Sequence, residues 1–331
     1  MQPLSLFSNR KLLQKDVDLL LNEHTAAWNS KPAEAVASCK LSRTALHFVL
    51  LTIAVWAGST SALAENKRSE QYLFHPDIAG GAESLPGDWP YVVALVRAGG
   101  DSFGDQFCAG TLIQSTWVLT AAHCVDGVAA SQIDVRTGLH NLRLDAPAET
   151  IAPAQLIKHP GYSEPSFNND IALIRLSRPS AQPVVTLYGG EDSLTDRIST
   201  TVGWGILSVL GPFPEALHEV DLPIVSNSLC NVGYPEDITA QMLCTGRAGG
   251  GKGSCVGDSG GPLMVDLRNR LVLAGIISWG GQCAAPGYYD VNSRISALRN
   301  FIDQNVSGVH YLSERINIVP FLQPLLLVDP E

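Results

Sequence analysis

Short runs of apolar residues, broken by Gly, Pro and Asn, dominate the chain between Ile78 and Val306. Examples are PYVVALV, WVLTAA, DIALIRL and LVLAGIISW. Runs of this length that are rich in β-branched residues predict the strands of an all-β barrel or sandwich. The segment 293–305 is instead predicted to be helical, because its apolar residues recur at helical spacing. These residues are Ile295, Leu298, Phe301 and Ile302.

A longer apolar run precedes this region. The segment TALHFVLLTIAVWAGSTSALA follows Lys40 and Arg43 and ends in small residues, which is typical of a signal peptide cleaved before Glu65. About 40 residues lie ahead of it, so either the signal is unusually long or the translation start lies further downstream. A retained membrane anchor is the alternative, although the run is short for a spanning helix.

The composition narrows the choice of compartment and partners. A net charge of −10 without any Lys/Arg run argues against nucleic acid or an anionic membrane surface as the main partner. Six of the seven cysteines lie between Cys108 and Cys283, and the seventh, Cys39, would leave with the signal. An even set of cysteines behind an export signal predicts disulfides formed in an oxidising compartment. We therefore expect a secreted protein, either extracellular or periplasmic.

Three motifs contain the residue types that nucleophilic acyl transfer requires. His123 lies in TAAHC, Asp170 in NNDIALIRL and Ser259 in GDSGGP. A serine hydroxyl is a weak nucleophile, so a histidine must take its proton, and an aspartate can hold that histidine in the correct tautomer. The glycines around Ser259 would let the N–H groups of Gly257 and Ser259 point at the developing oxyanion. Together, the motifs predict a catalytic triad.

These motifs, with FCAGTLI, VGWG and ISWGG, resemble the chymotrypsin/trypsin family of serine endopeptidases from Ile78 to about Val306. The resemblance implies an all-β fold of two six-stranded antiparallel Greek-key barrels with a C-terminal helix. The expected divisions are an N-terminal extension with signal peptide (1–64), a pro-segment (65–77), a protease domain (78–306, with barrels at about 78–190 and 191–292) and a tail (307–331). The resemblance also implies the disulfides Cys108–Cys124, Cys230–Cys244 and Cys255–Cys283.

The resemblance leaves two interpretations of the specificity pocket. In this family the pocket floor lies six residues before the nucleophile, at Gly253 here, where trypsin-like members carry Asp. Asp290 stands where most members have Gly, which predicts an acidic pocket wall and specificity that is basic (Lys/Arg) or broad. Alternatively, Asp290 lies in a solvated turn beside a pocket for apolar side chains, as in chymotrypsin-like or elastase-like members. Ser278, Trp279 and Gly280 are expected to bind substrate, with Gly280 keeping the entrance open.

The family also implies an activation switch. The amino group freed at Ile78 would pair with Asp258, the residue before the nucleophile, and order the oxyanion hole. The bond to be cut follows Asp77, whereas relatives usually have Arg or Lys at this position. Since a pocket that holds Asp290 would repel an aspartate side chain, we expect another protease to activate this zymogen.

No cofactor or metal is expected. Leu139 stands where calcium-binding relatives carry a ligand carboxylate, and calcium requires oxygen ligands. The expected partners are protein or peptide substrates and an activating protease, with no nucleic acid and no stable membrane anchor, and the protein is expected to be a monomer. A non-catalytic binding member of the family is the alternative function, but such proteins commonly lose a triad residue.

Overall fold

The computed structural model describes residues 80–190, 193–208, 211–234 and 237–313. The predicted signal peptide and pro-segment, Asp77, Ile78 and the tail from residue 314 onward lie outside the described residues. The strands in chain order are β1 (Ala82–Glu83), β2 (Val92–Arg97), β3 (Gln106–Gln114), β4 (Trp117–Thr120), β5 (Ile133–Thr137), β6 (Glu149–Ile151), β7 (Pro153–Lys158), β8 (Ala172–Leu176), β9 (Thr186–Tyr188), β10 (Ile198–Gly203), β11 (His218–Val225), β12 (Met242–Thr245), β13 (Pro262–Asp266), β14 (Leu271–Gly280), β15 (Asp290–Arg294) and β16 (Tyr311–Leu312). Two α-helices, α1 (Asn227–Gly233) and α2 (Ile295–Asn305), accompany them, with 3-10 turns at Ala122–Cys124 and Ala130–Gln132.

The first sheet follows the order β6-β5-β2-β3-β4-β8-β7. Its two edge strands, β6 and β7, are consecutive in the chain and are separated only by Ala152. The chain therefore joins the two edges itself, and β6 with β7 can be counted as one bent strand of a six-stranded barrel. The bend fits the antiparallel pairing of β6 with β5 on one side and of β7 with β8 on the other.

The second sheet contains a closed barrel in the order β13-β10-β11-β12-β15-β14, since β13 also pairs with β14. Strands β9 and β16 extend the sheet beyond β14, and β1 pairs with β11. Closure removes exposed strand edges, which would otherwise pair with other chains. The predicted all-β class with two barrels and a C-terminal helix is confirmed.

Strand β2 explains why an apolar run without alternation can be a strand. Its side chains point alternately to opposite faces. Val93 and Leu95 pack inside the first barrel, whereas Val92, Ala94 and Val96 pack against a second cluster. That cluster includes Val202, Trp204 and Leu217 from the chain of the second barrel. Both faces of β2 are therefore buried, and the two barrels share this apolar contact.

Helix α2 buries one face. Its buried residues are the four predicted from helical spacing: Ile295, Leu298, Phe301 and Ile302. Burying one such side chain contributes roughly 1.5–3 kcal/mol, so this face ties the helix firmly to the core. The helix begins at Ile295 because Ser293 and Arg294 still pair as part of β15.

Candidate active site

His123 lies in the 3-10 turn that follows β4. The disulfide between Cys108 and Cys124 attaches this turn to β3, with Cα atoms 6.1 Å apart. The imidazole is 23% exposed, so it is open to solvent on one side. The covalent link and the buried strands on either side fix the backbone that carries the ring.

Asp170 lies beneath this imidazole and is fully buried. Its Oδ2 is 2.7 Å from His123 Nδ1, and its Oδ1 accepts a 2.9 Å hydrogen bond from the backbone N–H of His123. The hydroxyl of Ser278 also donates to Oδ2, and Ser293 Oγ donates to the Asp170 carbonyl at 2.6 Å. Burial alone would raise the pKa of Asp170, but His123 and the hydrogen bonds lower it below its ordinary value.

Ser259 lies in the loop before β13, on the same structural unit that carries His123. Its carbonyl accepts a 2.8 Å hydrogen bond from Ala109 N, one residue from the Cys108 disulfide. The next residue, Gly260, has a φ of 80°, and a Cβ there would lie 2.2 Å from Thr120 Oγ1. Glycine therefore allows the serine loop to pack directly against the chain that leads into the histidine turn.

The predicted oxyanion loop is held from two sides. Gly257 has a φ of 102°, a conformation that favours glycine, and a Cβ there would lie 3.0 Å from Phe213. Its carbonyl accepts a 3.0 Å hydrogen bond from Gln106 Nε2. Asp258 is 1% exposed, and its carboxylate accepts hydrogen bonds from Gly205 N at 2.7 Å and Cys255 N at 2.9 Å.

Asp290 and Gly253 are direct neighbours. A Cβ built on Gly253 would lie 3.1 Å from Asp290 Oδ1, and Ser254 N donates to Asp290 Oδ2 at 2.5 Å. Asp290 is the first residue of β15 and is 8% exposed, so it does not lie in a solvated turn. Burial, together with the nearby charge of Asp258, raises its pKa to about 7 against the opposing effect of the hydrogen bonds from Ser254.

The end of β14 forms an aromatic wall. Ser278 is buried against Asp170, Trp279 is partly exposed and Gly280 is exposed. The Trp279 ring stacks on Phe167 at 6.3 Å between centroids, and the Phe167 ring meets the His123 ring edge-on at 5.9 Å. The predicted substrate-binding strand is therefore continuous with the histidine turn.

The chain was compared with known proteins. A family model described as Trypsin matches residues 78–302. A trypsin of Xenopus laevis is 35% identical over 264 residues, which make up 78% of this chain and 98% of that protein. Trypsin-3 of Salmo salar is 38% identical over 237 residues, or 70% of this chain and 93% of that protein. The serine proteinase stubble of Drosophila melanogaster is 39% identical over 243 residues, or 69% of this chain and 31% of that protein.

The chain belongs to the trypsin family. It is accordingly a serine endopeptidase, a hydrolase that acts on protein substrates. The disulfides Cys108–Cys124, Cys230–Cys244 and Cys255–Cys283 are all present, and three disulfides fit an extracellular protein. None of the helices in the described segments has the length and apolar character that a membrane span requires.

Sequence reasoning missed four residues that shape this trypsin-family site. Ser254 and Ser293 hold Asp290 and Asp170 by hydrogen bonds. Phe167 reaches His123 from a backbone with a φ of 50°, and Tyr234 packs against Trp279 at 4.9 Å. No sequence motif marks the two serines. An aromatic residue three positions before Asp170 was the one available signal for Phe167.

Two potential metal positions of this trypsin-family chain can be assessed from their donors. Cys108, His123 and Cys124 have ligand atoms within 4.8 Å of one another, but both sulfurs belong to a disulfide and are not thiolates. In the loop that corresponds to the family's calcium loop, Leu139 is buried. There the Asp145 carboxylate accepts hydrogen bonds from the backbone N–H groups of His140 and Asn141. These bonds hold the two ends of a short loop segment together, which we call the loop clasp.

Proposed function

We propose that this trypsin-family protein is a secreted zymogen whose activated form cleaves peptide bonds through His123, Asp170 and Ser259. The observation that carries the proposal is the 2.7 Å contact between His123 Nδ1 and a fully buried Asp170. The Ser259 carbonyl accepts a hydrogen bond from Ala109, the residue after Cys108, whose disulfide partner Cys124 lies in the His123 turn, and this supports a shared site. Catalysis requires such groups to be held in a fixed relative position.

The chemistry follows from these positions. Ser259 Oγ attacks the carbonyl carbon of the substrate, and His123 takes the hydroxyl proton as the C–O bond forms. Asp170 keeps the Nδ1 proton of the imidazole on its own side and stabilises the imidazolium. The N–H groups of Gly257 and Ser259 stabilise the oxyanion. As the C–N bond breaks, His123 gives its proton to the leaving amine. Water then attacks the acyl-enzyme carbonyl while His123 takes a water proton, and breakage of the bond between the acyl group and Ser259 Oγ releases the acid product and returns the proton to Ser259.

The specificity that we propose is basic or broad. The Asp290 carboxyl beside Gly253 supports attraction of Lys and Arg side chains, with its charge carried by a strand instead of the pocket-floor loop. Chymotrypsin-like or elastase-like apolar specificity is the second candidate, and the raised pKa of Asp290 favours it whenever the carboxyl is neutral. In a peptide library, strong cleavage after Phe or Leu and none after Lys or Arg at any pH would reject the basic reading.

The central test uses a fluorophosphonate probe, which reacts only with an activated serine. The full chain carrying Asp77→Arg can be cleaved before Ile78 by immobilised trypsin and then labelled. We expect the additional change Ser259→Ala to abolish labelling, because it removes the reacting oxygen, whereas Ser307→Ala, on an exposed position, leaves labelling intact. Full labelling of the Ser259→Ala protein would reject the triad.

Activation is proposed to free Ile78 for an ion pair with Asp258. The wild-type precursor should not activate itself, since cleavage after Asp77 would bring one carboxylate towards another in the pocket. N-terminal sequencing of the naturally active enzyme should therefore give Ile78, and the purified precursor should remain inactive on storage while the Asp77→Arg protein responds to trypsin. An active enzyme with another terminus contradicts this step.

Export and assembly complete the proposal. The signal peptide within 1–64 would direct secretion, and the enzyme would act as a monomer without a stable membrane anchor. The three disulfides support an oxidising destination. Size-exclusion chromatography with light scattering and sequencing of the secreted chain test both points, and a mature chain that begins before Glu65 would contradict signal cleavage.

A further inference from the structure

We propose that Asp290 selects the substrate by its protonation state: a neutral carboxyl admits apolar side chains in acid, and a carboxylate admits Lys and Arg side chains in alkali. The inference rests on the proposed proteolytic function and adds regulation to it. One enzyme would then cleave different bonds in compartments of different pH, with no change of fold.

The placement of Asp290 is the first observation. Its carboxyl fills the space beside Gly253, where a Cβ would lie 3.1 Å from Oδ1 and 3.3 Å from Oδ2. In the proposed pocket, whose floor is Gly253, a substrate side chain would end beside this carboxyl, because Gly253 has no side chain of its own. The charge on Asp290 is therefore the charge that we expect such a side chain to meet.

The second observation is the set of groups around this carboxyl. Within the described part of the chain, its hydrogen-bond partner is Ser254, through both the backbone N–H and the hydroxyl, and no Lys or Arg forms an ion pair with it. A cation stabilises a carboxylate more strongly than neutral hydrogen-bond donors do, and burial raises the free energy of the charged form. Nothing in these surroundings commits Asp290 permanently to the ionised form.

The titratable groups that face Asp290 come from two other segments. Asp258, in the serine loop, carries a like charge that raises the pKa of Asp290. The charge of Asp290 in turn raises the pKa of the Tyr234 phenol, which lies at the end of α1. Burial raises the pKa of Tyr234, so the phenol stays neutral across the physiological range. The paired strands β12 and β14 present Thr245 and Gly280, which do not titrate.

These surroundings give the direction of the change. Burial raises the pKa of Asp290 to about 7, so the proton leaves within the range in which a protease works. A bound Lys or Arg side chain would favour the carboxylate, whereas an apolar side chain would favour the neutral acid, because a buried unpaired charge is costly. In the activated enzyme the Ile78 amino group would offset the charge of Asp258, so we expect the midpoint at or below 7.

The test compares two peptide substrates that differ only in the residue before the scissile bond, arginine or norleucine. For each, kcat/KM is measured from pH 5.5 to 9 on the activated full-chain enzyme. Changes in the catalytic groups that both substrates share alter the two kcat/KM values alike, so the ratio of the two values cancels them. A single proton with a midpoint near 7 predicts that the carboxylate fraction rises about 30-fold and the neutral fraction falls about 30-fold between pH 5.5 and 8.5, so the arginine-to-norleucine ratio should rise on the order of 1,000-fold.

The matched variant is Asp290→Asn, which keeps the shape and removes the charge. Its ratio should be low and independent of pH, while fluorophosphonate labelling confirms an intact site. A flat ratio in the wild-type enzyme, or an equal pH dependence in the variant, overturns the inference although proteolysis remains. Failure of the proposed function looks different, since neither substrate would then be cleaved and no probe would bind.

Discussion

Asp170, of the proposed triad, and Asp290, beside Gly253, are buried carboxyls whose pKa values move in opposite directions. Asp170 is 0% exposed and Asp290 is 8% exposed, so burial hardly distinguishes them. Yet the pKa of Asp170 is lowered and that of Asp290 is raised. The difference lies in the partners, because Asp170 faces the His123 imidazole and Asp290 faces Ser254 and a second carboxylate.

The comparison teaches that desolvation penalises the charged form and that only specific partners decide whether the charge survives. His123 supplies a charge interaction and two hydrogen bonds to Asp170, and Ser278 adds another. These contacts overcome the burial of Asp170. The same molecule thus contains one buried aspartate whose pKa is lowered and one whose pKa is raised to about 7.

The largest expected effect comes from Asp170→Asn. Loss of the carboxylate should lower kcat on the order of 10⁴-fold, since an amide no longer holds the imidazole in the productive tautomer. Steady-state kinetics at pH 8, with active sites counted by burst titration, measures the loss, and Asp266→Asn on an exposed strand end serves as the control. A loss of kcat below tenfold would show that catalysis does not need the ionised form of Asp170, and the contrast with Asp290 would then have no functional meaning.

The second effect is on stability and has a pH signature. Asp290 ionises in the unfolded chain near pH 4 and in the folded protein near 7, so wild-type stability falls between these values and then levels off. Asp290→Asn should therefore unfold with a free energy similar to wild type at pH 4 and roughly 4 kcal/mol higher at pH 8.

Guanidinium unfolding in a Ser259→Ala background, which prevents self-digestion, measures this difference. In the same assay, Asp170→Asn should lower the free energy of unfolding at pH 8, whereas Asp290→Asn should raise it. The Asp170 carboxyl has a lowered pKa, so it adds stability above its unfolded pKa and loses it as the pH falls through the folded pKa. If both variants shifted stability in the same direction at pH 8, the two carboxyls would not be opposites.

The smallest effect extends the comparison to an exposed carboxyl. Hydrogen bonds from the Asn141 backbone, followed by those of His140, lower the pKa of Asp145 although it lies at the surface. Asp145→Asn should weaken the loop clasp by about 1 kcal/mol and lower the melting temperature by about 2–4 °C at pH 7. In scanning calorimetry the difference should shrink as the pH falls and protonates wild-type Asp145, and a difference that persists at pH 2 would show that charge is not the cause.

The residues of the proposed triad could be named from the sequence because each motif contains its own chemistry. TAAHC, NNDIALIRL and GDSGGP mark His123, Asp170 and Ser259 within a few residues, and short apolar runs mark the strands. The order of the strands needed a family resemblance, since the run in β2 is apolar on both faces and has no readable alternation.

The partners of the two aspartates were not predictable from the sequence. Ser254 lies 36 residues from Asp290, and Ser293 lies 123 residues from Asp170. Contacts at such separations depend on barrel closure, which brings β15 beside the loop of the nucleophile. For the same reason, the sequence left open whether Asp290 is solvated or buried, and its raised pKa follows only from the folded surroundings.

The close approach at Gly253 also constrains how such a pocket can evolve. An aspartate introduced at Gly253 while Asp290 remains would place its Cβ 3.1 Å from an existing carboxyl oxygen, so two acids would compete for one space. Relocation of the acid from the strand to the loop is therefore easier in two steps, in which Asp290 is lost before an acid appears at position 253.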